Sequence, residues 1–244
     1  MKNDYKKVYR LECSVHWSDY WWRRGRDFTA LLLLKKIWPQ RPWKILDLGC
    51  GLGETSKRLK RFGEVIGVDS SKEAIKKAQT SNLKKAMVMD ITNLSFSNNS
   101  FDLVTAFDVF EHLEDDQKGL EEAFRVLKKG GFLLLTVPAY SWLWSFHDES
   151  LGHKRRYTKQ ELEKKVKKAG FKILKSSYLI SSFLFPIALF RFIQKLFRVK
   201  GQSYVILPKF LNILLAEILK LEALLLQFFN LPFGVSLILL GRKK

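Results

Sequence analysis

The sequence predicts an α/β protein with a doubly wound, mostly parallel sheet of seven strands, an antiparallel last strand and a helical insertion before that strand. Three observations predict this fold. Short apolar runs alternate with helical patterns from residue 44 onward, a glycine-rich turn follows the first of these runs, and two apolar helical segments delay the last strand. Strands that alternate with helices at such spacing form a parallel sheet covered by helices on both faces.

Each strand is predicted from a short apolar run, and glycine, proline or charged residues mark the ends of the run. A strand that is buried on both faces reads as a continuous apolar run, so the run itself is the signal. The last strand follows the turn "NLPFG" and is expected to be antiparallel. The predicted strands are 44–48, 64–69, 85–90, 101–108, 131–139, 171–179 and 235–243.

Capping residues define several of the helices. Ser70 or Ser71 opens one helix, and Thr158 with Glu161 three residues later forms a capping box that Gly170 closes at the other end. We expect a helical N-terminal lid at 1–42 and a main domain at 43–244, with a helical hairpin inserted at about 182–230. The predicted helices are 26–38, 54–62, 71–79, 115–128, 158–170, 182–199 and 208–229.

Length and composition suit a single large cytoplasmic domain. The 244 residues are 47% hydrophobic, which is enough for a sizeable core. The cysteines, Cys13 and Cys50, are too few and too far apart for a disulfide framework or a paired-cysteine metal site. The N-terminal residues lack the charged and then apolar pattern of a secretion signal.

Positive charge gathers on both sides of the central segment. The net charge is +19, yet residues 45–150 hold 13 basic and 16 acidic side chains, whereas residues 151–200 hold 14 basic and 2 acidic ones. This asymmetry indicates an anionic partner, which is a membrane surface, a nucleic acid or a phosphorylated substrate. The alternative is a set of ordinary solvated helix faces.

The stretch "ILDLGCGLGE" (45–54) places glycines after the first predicted strand. A dinucleotide-binding turn requires a third glycine where Glu54 stands, so this type of cofactor fits poorly. Acids stand at or near the carboxyl ends of three consecutive strands, and these are Asp47, Asp69 and Asp90. Ligands of doubly wound sheets bind at this edge.

The charges of these residues suit a cationic sulfonium cofactor better than a pyrophosphate, which favours backbone amides over acids. Asp47 can hold the amino-acid end, Asp69 can accept hydrogen bonds from ribose hydroxyls, and Asp90 can accept one from an adenine amino group. Glycine in the turn lets the backbone approach the ligand closely.

The motifs "ILDLGCGLG", "VIGVDSS", "MVMDITNLSF", "FDLVTAFDVFEHL" and "LKKGGFLLLTVP" occur in this order within residues 43–139. Together they resemble the class I, seven-stranded S-adenosylmethionine-dependent methyltransferases, in particular the type 11 and quinone-biosynthesis members. The resemblance implies S-adenosylmethionine as cofactor and a set of residues that bind it. These are Asp47, Gly49, Gly51 and Gly53 on the methionine side, Asp69 and Ser70 at the ribose, Asp90 and Ile91 at the adenine, and Phe107 beside the cofactor.

The segment "DVFEH" (108–112) brings Asp108, Glu111 and His112 onto one helical turn. It is similar to an acid-x-x-Glu-His group that holds a divalent metal in some quinone O-methyltransferases. Glu-His is also common in the wider family without a metal, and three ligand-type residues alone do not define a site. We therefore expect no bound metal, and His112 remains a candidate catalytic residue.

The segment "SFHDESLGHKRRYT" (145–158) follows the fifth strand at the ligand-binding edge. Planar guanidinium groups suit phosphate and carboxylate, so Arg155 and Arg156, with Tyr157, are predicted to bind substrate. His147 or His153 is then the candidate base. The alternative is a polar lid whose ion pairs stabilise the next helix.

Two segments leave their roles open. "HWSDYWWRRGR" (16–26) either closes over the cofactor or packs as an amphipathic edge. The insertion helices combine basic stripes with wide apolar faces, so they span a membrane, lie on an anionic bilayer surface, or form a substrate cap or a dimer face. An acceptor of the lipid or isoprenoid type suits either surface docking or a cap.

Three functions remain open from the sequence. The first is methylation of a small-molecule or lipid acceptor, with peripheral contact to the inner face of the membrane. The second is RNA methylation, which the charge favours but the segment after strand four does not, because it lacks an Asn/Asp-Pro-Pro-Tyr loop. The third is a cofactor-binding scaffold without chemistry.

Overall fold

The computed structural model describes residues 20–81, 83–197 and 207–244. Residues 1–19 of the predicted lid, which include Cys13, lie outside the described residues. The end of the first predicted insertion helix, from residue 198 onward, also lies outside them.

Seven strands form one sheet in the order β3-β2-β1-β4-β5-β7-β6. All neighbouring pairs among β1 to β5 are parallel, and β7 lies antiparallel between β5 and β6. This arrangement confirms the predicted fold class. The strands are β1 (Trp43–Leu48), β2 (Gly63–Asp69), β3 (Ala86–Val88), β4 (Phe101–Phe107), β5 (Leu127–Pro138), β6 (Phe171–Leu179) and β7 (Ser236–Lys243).

Helices cover both faces of the sheet, and the two insertion helices follow β6. Apolar side chains of β1, β4 and β5 are buried between the helical layers and form the core. The helices are α1 (Trp21–Ile37), α2 (Glu54–Leu59), α3 (Lys72–Thr80), α4 (Asp116–Val126), α5 (Phe146–Leu151), α6 (Lys159–Lys168), α7 (Leu184–Leu196) and α8 (Lys209–Leu226).

Four predicted elements differ from the structure. Helix α1 begins five residues earlier than predicted, and β3 ends at Val88, so Asp90 lies in the loop beyond the strand. Strand β5 begins at Leu127 because this residue already pairs with Phe101 of β4. Helix α5 lies within a segment predicted to be a loop, and the buried Asp148 accepts a hydrogen bond from the Ser145 backbone N–H at its start.

The N-terminal helix α1 packs against the insertion helix α8. Gly25 permits this close approach, because a Cβ atom at this position would lie 2.4 Å from Cδ1 of Leu219. The Trp21 backbone N–H also donates to Oδ1 of Asn212 at 3.3 Å. The N-terminal helix and the insertion therefore form a joint layer over one end of the sheet.

A buried carboxylate joins α8 to the start of α7. Glu222 accepts hydrogen bonds from the backbone N–H groups of Ile180, at 2.5 Å, and Ser182, at 3.0 Å. Ile180 has φ of +61°, which is unfavourable for a β-branched residue. The Glu222 side chain therefore stabilises the strained turn that directs the chain from β6 into α7.

Replacing Glu222 with alanine is expected to lower the free energy of unfolding by about 2–4 kcal/mol, because it leaves two backbone N–H groups without their acceptor. Thermal unfolding followed by circular dichroism measures the change. The control is Glu217→Ala on the same helix, because Glu217 is exposed and pairs only with Lys220 in the described part of the chain. A similar loss of stability in both variants would contradict the role assigned to Glu222.

Within residues 20–81, 83–197 and 207–244, no helix has the length and apolar composition needed to cross a bilayer.

Candidate active site

One cavity of about 650 Å³ opens at the carboxyl edge of the sheet. It extends from the glycine loop after β1 to the segments that carry the histidines and to helix α7. Residues from α1 line it as well, among them Trp21, Trp22 and Arg26. The predicted cofactor and acceptor residues therefore face a common space.

The glycine loop adopts a left-handed backbone conformation. Gly49 has φ of +64° and Gly51 has φ of +52°, and both line the cavity. A Cβ at Gly49 would lie 2.5 Å from Val109, whereas one at Gly51 would point into open space. Backbone geometry alone therefore favours glycine at position 51, and the open space there is available to a ligand.

Gly53 is not among the residues that line the cavity, and its place on the methionine side stays a prediction. Its φ of +80° turns the chain into α2, and a Cβ there would lie 3.2 Å from Leu83. The glycine is required for the loop-to-helix turn and for packing.

Asp69 holds the glycine loop against the end of β2. Its Oδ2 accepts the Gly51 backbone N–H at 3.0 Å, and its Oδ1 accepts the Ser71 backbone N–H at 2.8 Å. The carboxylate is buried, lies in the cavity wall next to Ser70, and retains lone pairs for further donors. This position suits a ligand that carries neighbouring hydroxyl groups.

The same cavity also offers apolar surface. Ile91, which is buried, and Phe107, at the end of β4, both line the cavity. Asp90 is exposed at the cavity edge, and its Oδ1 accepts hydrogen bonds from the backbone and hydroxyl of Thr92 at 2.8 Å each. These three positions fit a planar ring with an exocyclic donor.

Asp47 lies beneath the loop with both carboxylate oxygens occupied. Ser56 donates to Oδ2 at 2.5 Å and Thr105 donates to Oδ1 at 2.7 Å. Burial raises the pKa of Asp47 to about 6, although these two hydrogen bonds and the charge of Arg26 act in the opposite direction. The negative charge at this point therefore depends on pH.

Arg26 connects helix α1 to the site. Its guanidinium donates to Asp27 and Asp108 at 2.8 Å each and lies 5.1 Å from the centre of the Phe107 ring. Asp108 also accepts the Thr136 hydroxyl at 2.9 Å. Arg26 was not among the binding residues predicted from the sequence, because a pairing between residues 82 positions apart produces no local sequence pattern.

The Asp108 carboxylate is therefore held by Arg26 and Thr136, and it is not among the ligand-type groups that gather around Glu111. Glu111 and His112 lie in a short 3₁₀ segment, Phe110–His112, and His153 joins them from the loop after α5. The ligand-type atoms of Glu111, His112 and His153 lie within 4.8 Å of one another. The expectation that no metal is bound stays a prediction.

Burial changes the protonation of two members of this cluster. Burial raises the pKa of Glu111 well above its usual value, and neither of its oxygens has a hydrogen-bond partner among the described residues. Burial and the neighbouring His153 lower the pKa of His112 to about 4. His112 is thus neutral at neutral pH.

His153 is held by the fully buried Asp148. Its Nδ1 lies 2.9 Å from Oδ1 of Asp148, so Nε2 faces Glu111 at 3.9 Å. Burial alone would raise the pKa of Asp148, but the hydrogen bond with His153 and the charges of Arg156 and Arg191 hold it well below its usual range. An ionised carboxylate at Nδ1 fixes the tautomer that leaves Nε2 free to accept a proton.

The predicted substrate-binding trio faces in two directions. Arg156 lines the cavity and donates to Asp148 at 2.7 Å. Arg155 instead donates to the carbonyls of Leu113 and Glu114, and the Tyr157 hydroxyl donates to Asp116 at 2.8 Å. Residues 155 and 157 point to the same side of an extended segment and do not line the cavity, so the substrate-binding role of Arg155 and Tyr157 stays a prediction that this geometry does not favour.

His147 also lines the cavity, from helix α5. The rings of His147 and His153 are 6.3 Å apart, and those of His112 and His153 are 4.8 Å apart. The structure therefore brings all three predicted catalytic histidines to one end of the cavity.

Known proteins resemble this chain in sequence and in fold. The family profile described as a methyltransferase domain matches residues 46–135. An uncharacterized protein of Methanocaldococcus jannaschii is 32% identical over 194 residues, which cover 72% of this chain and 82% of that protein. The chain belongs to the class I S-adenosylmethionine-dependent methyltransferases.

Other methyltransferases resemble the chain over shorter stretches or in fold alone. The demethylmenaquinone methyltransferase of Bacteroides fragilis is 35% identical over 48% of this chain and 50% of its own length. The phosphoethanolamine N-methyltransferase 2 of Haemonchus contortus, solved with S-adenosylhomocysteine, has a TM-score of 0.59 at 23% identity and covers 87% of this chain and 52% of its own. The chain spans less than half the length of two further curated relatives.

The residues of this methyltransferase fit the family's cofactor at the positions that the sequence predicts. The open space at Gly51, the buried acceptor Asp69 and the apolar Ile91 and Phe107 form one continuous wall. Arg191, which enters the same cavity from α7, was missed by the sequence analysis. In the sequence, Arg191 is a charged residue within a long apolar stretch, and it was interpreted as part of a basic stripe on the helix surface.

Proposed function

We propose that the chain transfers a methyl group from S-adenosylmethionine to an acceptor of the lipid or isoprenoid type at a membrane surface. One observation carries this proposal: a single cavity joins the glycine loop to a compartment lined by histidines, arginines and aromatic side chains. In such a site the protein mainly aligns the two reactants.

The cofactor, when bound, supplies an electrophilic methyl group on a sulfonium centre. Asp69 would accept the ribose hydroxyls, Ile91 and Phe107 would flank the adenine and the sulfur side, and Asp90 would accept the adenine amino group. Asp47 would attract the ammonium of the methionine part through its buried charge. Each of these residues lines the cavity.

We expect cofactor affinity to fall at acid pH through Asp47. Its pKa of about 6 means that the carboxyl loses its charge, and its attraction for an ammonium, as pH falls through 6. Between pH 7.5 and pH 5 the dissociation constant of S-adenosylhomocysteine should rise about tenfold. Calorimetric titration measures this change, and Asp47→Asn should bind weakly with no such dependence. An equal dependence in this variant would assign the titration to another group.

At the acceptor end, His153 is the proposed base. When the acceptor loses a proton as its new bond to the methyl carbon forms, Nε2 of His153 accepts that proton. Asp148 stabilises the resulting imidazolium through Nδ1. His147 and His112 lie close enough to position the acceptor.

The acceptor compartment is largely apolar. Trp21, Trp22, Phe183, Ile187 and Phe190 line it between α1 and α7. This lining supports an acceptor with a hydrocarbon portion, as does the resemblance to a demethylmenaquinone methyltransferase.

Both insertion helices expose large apolar side chains, which we call the docking residues. Each is between 54% and 86% exposed, so the helices do not cover each other at these positions. Lys195 and Lys209 are exposed on the same helices, whereas Glu222 is buried and Glu217 pairs with Lys220. The docking residues are Phe185, Leu189, Phe192, Leu196, Phe210, Leu214, Leu221 and Phe228.

An anionic bilayer is the proposed occupant of this surface. Patches of this size are rare on soluble monomers, and nearby lysines complement acidic lipid head groups. Such docking would bring an acceptor from the bilayer to the mouth of the cavity beside α7.

The double variant Phe185→Ser, Phe192→Ser should bind vesicles that contain phosphatidylglycerol at least roughly tenfold more weakly, since each phenylalanine loses about 2 kcal/mol of burial. Flotation of protein with vesicles measures binding. The control is Leu174→Ser, because Leu174 is exposed on β6 outside the insertion. Unchanged binding in the double variant, or a stable dimer that buries the docking residues, would contradict the bilayer as occupant.

A label-partition experiment tests the function itself. Purified protein is incubated with methyl-labelled S-adenosylmethionine and whole-cell extract, and label is counted in organic, aqueous small-molecule and RNA fractions. We expect label in the organic fraction. Label in RNA would establish the RNA methyltransferase alternative, and cofactor binding without any transfer would establish the scaffold.

A further inference from the structure

Arg191 is a largely buried charge on a mostly apolar helix. Only 11% of its side chain is exposed, and its Nη1 donates to the Leu143 carbonyl at 2.6 Å and lies 3.7 Å from Oδ2 of Asp148. Together with Ile187 and Gln194 it lines the cavity, and these positions share one face of α7. The helix thus presents a cation to the acceptor compartment.

Two guanidinium groups share a single carboxylate at this end of the cavity. Asp148 accepts Arg156 and His153 at Oδ1, and Arg191 approaches Oδ2. The two guanidinium groups carry two positive charges and the Asp148 carboxylate carries one negative charge. One positive charge therefore remains unbalanced at this carboxylate. In agreement, burial and the charge of Arg156 lower the pKa of Arg191 to about 10. An anion bound here would offset that excess.

We propose that Arg191 and Arg156 form a subsite for an oxyanion, a phosphate or a carboxylate, on an amphiphilic acceptor. The apolar part of this molecule would lie along Phe183, Ile187 and Phe190, which line the same compartment. This inference rests on the proposed function and narrows its acceptor to an anionic amphiphile.

The position of the subsite on α7 also places recognition of the acceptor's charged group next to the proposed membrane surface. The inner face of α7 holds Arg191 and Gln194, whereas its outer face exposes Phe185, Leu189 and Phe192. The inner face of the helix would therefore contact the acceptor's charged group, and the outer face would contact the bilayer. An amphiphile leaving the bilayer would keep its charged group next to His153, which shares Asp148 with both arginines.

Dodecyl phosphate below its micellar concentration is a suitable probe, compared with neutral dodecyl maltoside and with inorganic phosphate. Calorimetric titration without cofactor should show roughly tenfold or tighter binding of dodecyl phosphate over the neutral detergent. Arg191→Gln should remove this preference, and Arg191→Lys should retain part of it. Lys168→Gln, which removes an exposed lysine at the end of α6, should bind as the wild type does.

Equal binding of the charged and neutral probes, or an unchanged preference in Arg191→Gln, would overturn the subsite. Inorganic phosphate binding as tightly as dodecyl phosphate would overturn the amphiphile and indicate a small phosphorylated ligand. Titration of the same variants with S-adenosylhomocysteine tests the cofactor site separately. Loss of cofactor binding in every protein, with the anion preference intact, would contradict the proposed function and not the subsite.

Discussion

Replacing His153 with alanine is expected to lower kcat by roughly 10²- to 10⁴-fold, the usual contribution of a positioned general base. The reason is the geometry at Asp148, which holds Nδ1 of His153 at 2.9 Å and leaves Nε2 available for the acceptor proton. Cofactor affinity should change little, since His153 pairs with Asp148 and Glu111 rather than with the glycine loop or Asp69 in the described part of the chain. Steady-state kinetics and calorimetric titration separate these effects.

His147→Ala is the matched control, because His147 lines the same end of the cavity without the bond to Asp148. We expect its main effect on KM. If His147→Ala lowered kcat more than His153→Ala does, His147 would be the base and His153 would position the acceptor. Asp148→Asn should also lower kcat, because the amide cannot stabilise a charged imidazolium as a carboxylate does.

Replacing Asp69 with asparagine should weaken the binding of S-adenosylhomocysteine by about 10²-fold or more. An asparagine side chain has one acceptor oxygen, whereas Asp69 holds two backbone N–H groups and is proposed to hold the ribose as well. One amide donor would then oppose a backbone donor, and the loop at Gly51 would open. Loss of charge-assisted hydrogen bonds accounts for the magnitude.

Asp90→Asn is the control for this prediction. Asp90 is exposed at the cavity edge and bonds only to Thr92 among the described residues, so its loss should weaken cofactor binding by roughly tenfold or less. Thermal unfolding shows whether either variant disturbs the fold. If Asp69→Asn bound the cofactor as the wild type does, the ribose would have to lie elsewhere.

The strands of the central sheet were predictable because parallel strands are buried on both faces. Such strands appear in a sequence as largely apolar runs with few polar residues, and β1, β4 and the main part of β5 do so. The start of β5 was missed because Leu127–Gly130 contains two lysines, and only its pairing with β4 shows that it is a strand. The short helix α5 is polar, so its sequence resembles a loop.

The cofactor wall was predictable because the chain itself orders it. Each acid stands at or near the carboxyl end of a strand, and parallel strands bring these ends to one edge of the sheet. Gly53 differs from the other two glycines because its left-handed conformation serves the start of α2, and the sequence does not distinguish these two uses of glycine.

The acceptor end was less predictable because it is built from distant segments. Arg155, Arg156 and Tyr157 are adjacent in sequence, but the extended backbone sends only Arg156 into the cavity. Arg26 comes from the helix before β1, and Arg191 comes from the insertion between β6 and β7. Tertiary packing alone brings them to Asp108 and Asp148.

The most direct test of the central claim is a crystal structure with bound S-adenosylhomocysteine. The account predicts the ribose at Asp69, the adenine beside Ile91, and the sulfur directed towards the compartment that holds His153 and Arg191. Density for the ligand outside this cavity would contradict the account. A sulfur atom directed away from His153 would contradict the placement of the acceptor.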